Sequence, residues 1–305
     1  MIEVFIKAGA YMFIICLAYF LKKIKFFKEG EHRTISKIVL NITLPAAILS
    51  SFERVERLSG QLFFILLIGF LGNVGVLFLA WLICRKKSRE DKVYWMCNSA
   101  GYNIGCFTLP YAQGFLGPIG VIVTCLFDAG NSIMCTGGTY AVASNVIESG
   151  QGEKIHVKAT CKKLLCSVPF DCYLIAVIMK SFQIPFPPFI SQLSTTIGNA
   201  NGFLSMMMIG MMLEIHLNKE YIKKIVSLLS VRYLFAAVMS FIVYHALPFD
   251  GDVRKTLAVI SFAPLASLAC VFTERCNGDI ELSGMTNSIS VILSMIFMTT
   301  LILVL

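Results

Sequence analysis

Residues 98–110 read Asn98-Ser-Ala-Gly101-Tyr-Asn103-Ile-Gly105-Cys-Phe-Thr-Leu-Pro110 and lie inside an apolar stretch, 93–116, that is long enough to cross a lipid bilayer. Glycine and proline at this depth interrupt a helix. The backbone N–H and C=O groups that they release cannot face hydrocarbon, so they must line a cavity or meet a polar partner. The stretch therefore predicts a discontinuous membrane helix at a functional centre.

A second interruption, Ser261-Phe-Ala-Pro264-Leu-Ala-Ser267, lies inside another apolar stretch, 253–274. A shift of about 160 residues carries Pro264 onto position 104, so the two interruptions occupy equivalent places in two halves of the chain. Either proline alone favours a simple kink between packed helices. The equivalent placement of the two interruptions instead favours one functional centre to which both contribute.

The composition is that of a membrane protein. Of the 305 residues, 57% are hydrophobic and 14% are charged, against roughly 45–50% and about 25% in soluble domains. Soluble enzymes, nucleic-acid-binding proteins and disordered chains are excluded on this ground. Ten stretches have the length of a membrane span: 4–21, 35–52, 61–84, 93–116, 118–147, 164–183, 189–217, 223–247, 253–274 and 280–305.

The basic residues are distributed unevenly between the loops. Of the 26 Lys and Arg residues, nineteen follow spans 1, 3, 5, 7 and 9, six lie on the opposite side, and Arg232 falls within the start of span 8. This asymmetry predicts a multi-pass protein of the cell membrane with both termini outside. The net charge of +8 is then a topology signal, and no nucleic-acid partner is expected.

The polar interval 148–163 divides the chain into two halves of five spans. Because five is odd, a repeated unit must enter the membrane the second time from the opposite face. We therefore expect an all-α membrane protein of ten transmembrane helices in a 5+5 inverted repeat, with helices 4 and 9 broken and crossing. The predicted units are residues 1–150, a cytoplasmic linker 151–163, and residues 164–305.

Two broken helices that cross in mid-bilayer direct positive helix ends and free N–H groups toward one point, which suits a small organic anion. We expect the anion to be held without a buried cation, since no Lys or Arg lies mid-span at the two interruptions. The candidate substrate-binding residues are Asn98, Asn103, Ile104, Gly105, Thr108, Pro110, Pro264, Leu265, Ala266 and Ser267.

Acidic residues within spans are costly and are candidates for ion coupling. Asp128 and Asn131 in span 5 are three residues apart and share a helical face. Asp128 is expected to couple transport to protons, and a structural hydrogen bond to a neighbouring helix is an equal alternative. Asp171 is expected to cap or pin a helix locally. No metal and no cofactor are expected, because the four histidines and eleven cysteines show no ligand spacing.

Four motifs resemble the auxin efflux carrier family, within the bile acid:sodium symporter superfamily. They are Asn41-Ile-Thr-Leu-Pro45, Asn103-Ile-Gly105-Cys-Phe-Thr-Leu-Pro110, Phe272-Thr-Glu274-Arg275-Cys-Asn-Gly278-Asp279, and the region from Gln183-Ile-Pro185-Phe-Pro187-Pro188 to Ile209-Gly210. The resemblance covers nearly the full length of the chain. The central loop of this chain is short, and in this respect it is similar to bacterial members of the family.

The resemblance implies secondary transport of a mono- or dicarboxylate, malate-like or malonate-like, by an elevator-like movement of a five-plus-five repeat. It also implies a homodimer. Sodium-dependent members of the superfamily hold their ion with a carboxylate near the crossover, and Glu274 is the matching candidate here, so sodium is the weaker alternative to protons. No Asn stands beside Pro264, which departs from the auxin carriers.

Two rival functions remain. A membrane sensor with the same fold would bind its ligand without moving it. An intramembrane serine protease would use Gly130-Asn131-Ser132 with His245 as base, but a three-residue match is weak and nothing in the sequence brings His245 near Ser132. The chain is therefore not expected to be an enzyme.

Overall fold

The computed structural model describes residues 2–28, 30–55, 64–147, 168–214 and 219–305, and the regular secondary structure in these residues is helical. The predicted all-α membrane protein is confirmed at this level. The linker 151–163 lies outside the described residues, as do residues 148–150 and the ends of three expected spans at 61–63, 164–167 and 215–217.

The described ranges contain thirteen helices. In chain order they are α1 (Ile2–Lys23), α2 (His32–Glu53), α3 (Phe64–Cys84), α4 (Arg89–Ser99), α5 (Leu109–Phe115), α6 (Gly117–Ile147), α7 (Val168–Ser181), α8 (Pro188–Asn199), α9 (Asn201–Met212), α10 (Lys219–His245), α11 (Gly251–Ile260), α12 (Leu268–Arg275) and α13 (Ile280–Val304). A π-helical turn, Ile104–Thr108, leads into α5. Further π-helical turns lie inside α2 and α6.

Six of the described helices are each long and apolar enough to cross a membrane: α1, α2, α3, α6, α10 and α13. The expected fourth and ninth spans are divided, into α4 and α5 and into α11 and α12. The sequence predicts 189–217 as one span, and here the structure differs, because α8 and α9 meet at Ala200. Ala200 keeps helical dihedral angles (φ −74°, ψ −16°), so this division is a kink between two asparagines of low helix propensity.

The helices pack in two groups. The first group comprises α1, α2, α7, α8 and α9, with α1 against α9 and α2 against α7 and α8. The second comprises α3 to α6 and α10 to α13, with α3 against α6 and α10 against α11. The two groups meet along a boundary that we call the seam, where α2 contacts α6, α1 contacts α13 and α9 contacts α5. Both interrupted spans belong to the second group.

Two glycines bring α3 and α6 into backbone contact. A Cβ atom at Gly130 would lie 1.9 Å from Leu66 O, and one at Gly69 would lie 2.2 Å from Phe127 O. Small residues at such crossings let membrane helices pack by close van der Waals contact. The contact holds the segment of α6 that carries Asp128 and Asn131.

The outer face of α1 is strongly apolar. Phe5, Phe13 and Phe20 are 60%, 67% and 58% exposed within the isolated chain. Water would not favour such a row of exposed rings, whereas lipid accommodates them at no cost. This surface supports a membrane environment around the helices.

Candidate substrate and ion sites

The two interruptions lie side by side. Tyr102 and Leu265 form an isolated antiparallel β-bridge, and Asn103 N donates a hydrogen bond of 2.9 Å to Pro264 O. Residues 99–103 and 261–267 therefore satisfy part of each other's released backbone, and we call this pair of segments the crossover. Pairing between two breaks is one way to bury irregular backbone within a bilayer.

Glycine is required at position 101 of the crossover. Gly101 has φ +91°, a left-handed conformation that residues with a Cβ rarely adopt. An added Cβ would lie 3.1 Å from the Cβ of Ala266, whose N–H donates to Gly101 O at 3.2 Å. From α13, Ser290 Oγ accepts a hydrogen bond from Leu265 N at 3.1 Å. The tight approach of the segments thus depends on this glycine.

Arg232 of α10 binds the carbonyl oxygens of the crossover. Its side chain is 3% exposed. The guanidinium donates to Ser99 O, to Gly101 O at 3.0 Å, to Ala263 O at 3.2 Å and to Pro264 O at 3.5 Å. The guanidinium carbon also lies 4.6 Å from the ring centroid of Tyr102.

The expectation of a centre without a buried cation is therefore wrong. The sequence does not reveal the role of Arg232, because its hydrogen-bond partners lie 31 to 133 residues away along the chain. The guanidinium nevertheless points to carbonyl oxygens and is not among the residues that line either cavity described below. It acts on the backbone of the crossover.

Two buried asparagines hold the first interruption from the other side. Asn73 Oδ1 accepts a 2.6 Å hydrogen bond from Gly101 N. Asn131 pairs with Tyr102 as a neighbouring strand would, since its Oδ1 accepts from Tyr102 N and its Nδ2 donates to Tyr102 O, both at 2.9 Å. Asn73 Nδ2 also donates to Asn131 Oδ1 at 3.1 Å. Asn131 is thus part of the scaffold of the crossover.

Asp128 is linked to the crossover through Asn131. Its Oδ1 accepts a hydrogen bond of 2.8 Å from Asn131 Nδ2, so both residues share a face of α6. Asp128 lines a smaller cavity of about 120 Å³ together with Gly105, Ser132 and Tyr173. Hydrogen bonds therefore connect the Asp128 carboxylate to the crossover backbone at Tyr102 through the Asn131 amide.

A larger cavity of about 1050 Å³ lies beside the crossover. Asn103 and Ser267, one from each interruption, line it, and Asn103 Nδ2 donates to Ser267 Oγ at 3.4 Å. Asn287 and Ser288 of α13 add two further polar side chains. The lining also includes the basic residues Lys22, Lys23, Lys25, Lys28, His32 and Arg33. Among the described lining residues, Glu214 carries the only negative charge.

The remaining predicted substrate residues do not line the larger cavity, and Pro264, Leu265 and Ala266 are part of the crossover itself. Gly105 lines the smaller cavity. Thr108 Oγ1 donates to Asn103 O at 2.9 Å and thereby fixes the π-helical turn. The other buried members are Asn98, Ile104, Pro110, Pro264, Leu265 and Ala266.

Asn98 belongs to a separate polar network. Its Nδ2 donates to Thr273 Oγ1 at 3.1 Å and to Tyr94 O at 3.0 Å, and its Oδ1 accepts from Ser283 Oγ. Asn98 still lies within α4, and the rotation of that helix turns its side chain toward α12 and α13. The network fastens three helices together.

Glu274 lies at the end of α12 with an exposed side chain and does not line either cavity. The two residues of the serine protease alternative lie in different surroundings. Ser132 lines the smaller cavity, whereas His245 ends α10 in ring contact with Phe241 and Tyr244. Gly130 is explained by its packing against Leu66.

Five polar residues of the crossover and the larger cavity are not among the predicted residues: Arg232, Asn73, Asn287, Ser288 and Ser290. Polar residues inside an apolar span are the signal that was available for all five, and it is strongest for Arg232, whose burial in lipid is costly. The position of each side chain around its helix decides its partner, and that position follows from packing.

Comparison with known proteins identifies the family. Residues 5–304 match the family described as membrane transport protein. An uncharacterized transporter of Methanothermobacter thermautotrophicus is 23% identical over 290 residues, which cover 93% of this chain and 92% of that protein. The family match spans nearly the whole chain and confirms the family predicted from the motifs. The chain therefore belongs to the membrane transport protein family.

Proposed function

We propose that this protein is a secondary transporter that moves a small organic anion, a mono- or dicarboxylate, across the cell membrane by an elevator-type alternating-access mechanism with proton coupling. The observation that carries the proposal is the larger cavity, which extends from Asn103 and Ser267 at the crossover to the basic residues between the end of α1 and the start of α2. A carboxylate that enters between the lysines would reach the amide of Asn103 and the hydroxyl of Ser267 at the crossover end of the cavity.

The charge of the cavity favours an anion. Five Lys and Arg residues line it, against one described carboxylate, that of Glu214. Basic residues around a cleft raise the local concentration of anions and their rate of entry. The same residues belong to the loop that the charge asymmetry assigns to the cytoplasm, so the cavity represents the state that is open to the inside.

The helix bounds support a repeat of two inverted halves. Subtracting 160 from the bounds of α12 gives 108–115, against Leu109–Phe115 for α5, and the same operation on α11 gives 91–100, against Arg89–Ser99 for α4. The kink at Ala200 falls at 40, within the π-helical turn Val39–Thr43 of α2. Both termini would then lie outside.

The two packing groups support an elevator movement. The crossover, the two cavity-lining residues Asn103 and Ser267, and Asp128 all belong to the second group. Four described hydrogen bonds cross the seam. Gln113 Nε2 donates to Gly198 O at 3.0 Å, and Asn201 Nδ2 donates to Gln113 Oε1 at 3.2 Å. Lys7 Nζ donates to Gly114 O at 2.7 Å, and Glu214 N donates to Ser288 Oγ at 2.9 Å. The second group would slide along the first, which would serve as the scaffold and as the contact surface of a homodimer.

Proton coupling rests on Asp128. This is the acidic residue that the structure connects to the crossover, through Asn131 and Tyr102. Protonation would remove the charge that accepts the hydrogen bond from Asn131 Nδ2 and would thereby alter the support of the first interruption. Gly105 lines the smaller cavity together with Asp128, and the next residue of the π-helical turn, Cys106, lines the larger cavity.

The test is flux into liposomes that contain the purified protein. Malonate, malate and acetate are offered with and without a pH step across the membrane, in sodium and in potassium buffers. We expect uptake of at least one carboxylate and a change in its rate with the pH step. A requirement for sodium at constant pH would overturn the assignment of Asp128 and favour Glu274. Tight binding without flux would identify a sensor.

A further inference from the structure

Arg232 is a buried cation whose partners are carbonyl oxygens. Its guanidinium donates to two carbonyl oxygens of each interruption, those of Ser99 and Gly101 and those of Ala263 and Pro264. Within the parts of the chain that the structure describes, no acidic side chain forms an ion pair with it. A full positive charge therefore lies against the last carbonyl oxygen of α4 and against three carbonyl oxygens of the irregular segments that follow α4 and α11.

Four carbonyl oxygens account for the burial of the charge. Removing an ion from water is costly unless an opposite charge and hydrogen bonds compensate it. Each carbonyl oxygen carries a partial negative charge, and Ser99 O also lies at the negative end of the α4 helix dipole. Without Arg232, the same four oxygens would leave the crossover negative.

The charge of the crossover acts on the larger cavity. Asn103 and Ser267 line that cavity and follow directly after the segments that Arg232 holds. Pro264 O accepts hydrogen bonds both from Arg232 and from Asn103 N, so one oxygen joins the cation to a cavity-lining residue. A negative crossover would repel an anion at this end of the cavity.

We propose that Arg232 is a positioning residue that holds the two interruptions together and offsets the partial negative charge of their carbonyl oxygens, which makes the crossover end of the larger cavity able to accept an anion. The role of the anion rests on the proposed function. The charge compensation itself does not, and it can be measured without any transport.

Cys106 provides a probe of the electrostatic potential in the cavity. It lines the larger cavity and its side chain is partly exposed. Methanethiosulfonate reagents that carry either a sulfonate or a trimethylammonium group modify the same thiol, and peptide mass spectrometry gives the rate at Cys106. The ratio of the two rates reports the potential, because the reactivity of the thiol cancels.

We expect the ratio of the anionic to the cationic rate to fall by about tenfold or more in Arg232→Gln, as a unit charge acting through an effective dielectric constant of about 20 requires. Arg232→Lys retains the charge and should stay within about twofold of the wild-type ratio. In proteoliposomes, Arg232→Gln should raise the KM for malonate more than it lowers the maximal rate.

Arg254→Gln is the matched control. Arg254 also donates to a carbonyl oxygen, Tyr244 O at 3.3 Å, and lies 5.9 Å from the Tyr244 ring centroid, but it lies at the start of α11 and its described hydrogen bond is to a residue outside the crossover. It should leave the ratio unchanged. A folded Arg232→Gln variant with the wild-type ratio would overturn the proposal, as would an equal fall in Arg232→Lys. If malonate is not transported and the ratio still falls, the result supports the charge compensation and excludes malonate as the substrate.

Discussion

At the scale of single residues, Asp128 is the most informative position for the coupling mechanism. In Asp128→Asn the side chain stays neutral at every pH, so we expect malonate flux to lose its response to a pH step while the affinity for malonate changes little. Flux in proteoliposomes at several imposed pH steps is the measurement. Asp171→Asn in α7 is the control, since it removes an acidic group that has no described link to the crossover.

The Asp128 assignment would be abandoned if Asp128→Asn still accumulated substrate with the wild-type pH dependence. The hydrogen bond from Asn131 would then be a structural contact of α6 and no more. Loss of the pH response in Asp171→Asn alone would move the coupling site to α7.

Asn73 tests the polar support of the crossover. Asn73→Ala would leave the buried Gly101 N without its acceptor, which costs about 1–3 kcal/mol. We expect a lower melting temperature in detergent. Asn145→Ala removes an asparagine whose hydrogen bond within the described residues runs one turn back, to Ala141 O at 2.7 Å, and should cost clearly less. Equal stability of the two variants would show that Gly101 N finds another partner.

At the scale of helices, the contact between α3 and α6 depends on Gly130. Gly130→Ala would place a methyl group 1.9 Å from Leu66 O, so the helices must separate, at a cost of about 1–3 kcal/mol. Gly9→Ala is the matched control, because nothing lies within 4 Å of a Cβ there and alanine should stabilise α1 by roughly 0.5–1 kcal/mol. Thermal unfolding in detergent should therefore give shifts of opposite sign, and shifts of the same sign would contradict the predicted contact.

The elements also show what sequence can predict. The interruptions at 99–103 and 261–267 follow from glycine and proline within apolar stretches, because the cost of released backbone in lipid is a local property. The contacts of Arg232 and the burial of Asn98 do not follow in this way. They depend on how α10 and α4 rotate against their neighbours, and that rotation is decided by packing between distant segments.

At the scale of the whole molecule, an elevator requires the two packing groups to move past each other. Gln113 of the second group and Asn201 of the first group form a hydrogen bond across the seam. Cysteines at both positions, joined by mercury, should abolish malonate flux, and a reducing agent should restore it. Each single-cysteine variant treated with mercury is the control. Full flux in the cross-linked double variant would contradict a sliding movement here.

The family and the helical membrane architecture could be predicted from composition, charge asymmetry and the four motifs. The site could be predicted only in part. Asn103 and Ser267, two of the predicted substrate residues, line the larger cavity, whereas Asn287 comes from α13, and no local pattern connects that helix with the crossover. Side chains that converge from three separate segments require the assembled structure.

The most direct test of the central claim is the accessibility of Ser267→Cys in oriented proteoliposomes. An impermeant anionic thiol reagent is applied to one side at a time, with and without a transported carboxylate. We predict labelling from both sides, since the site alternates, and protection by the carboxylate on either side. Labelling from the lysine-rich side only, with no protection by any carboxylate that the protein transports, would contradict alternating access at the crossover.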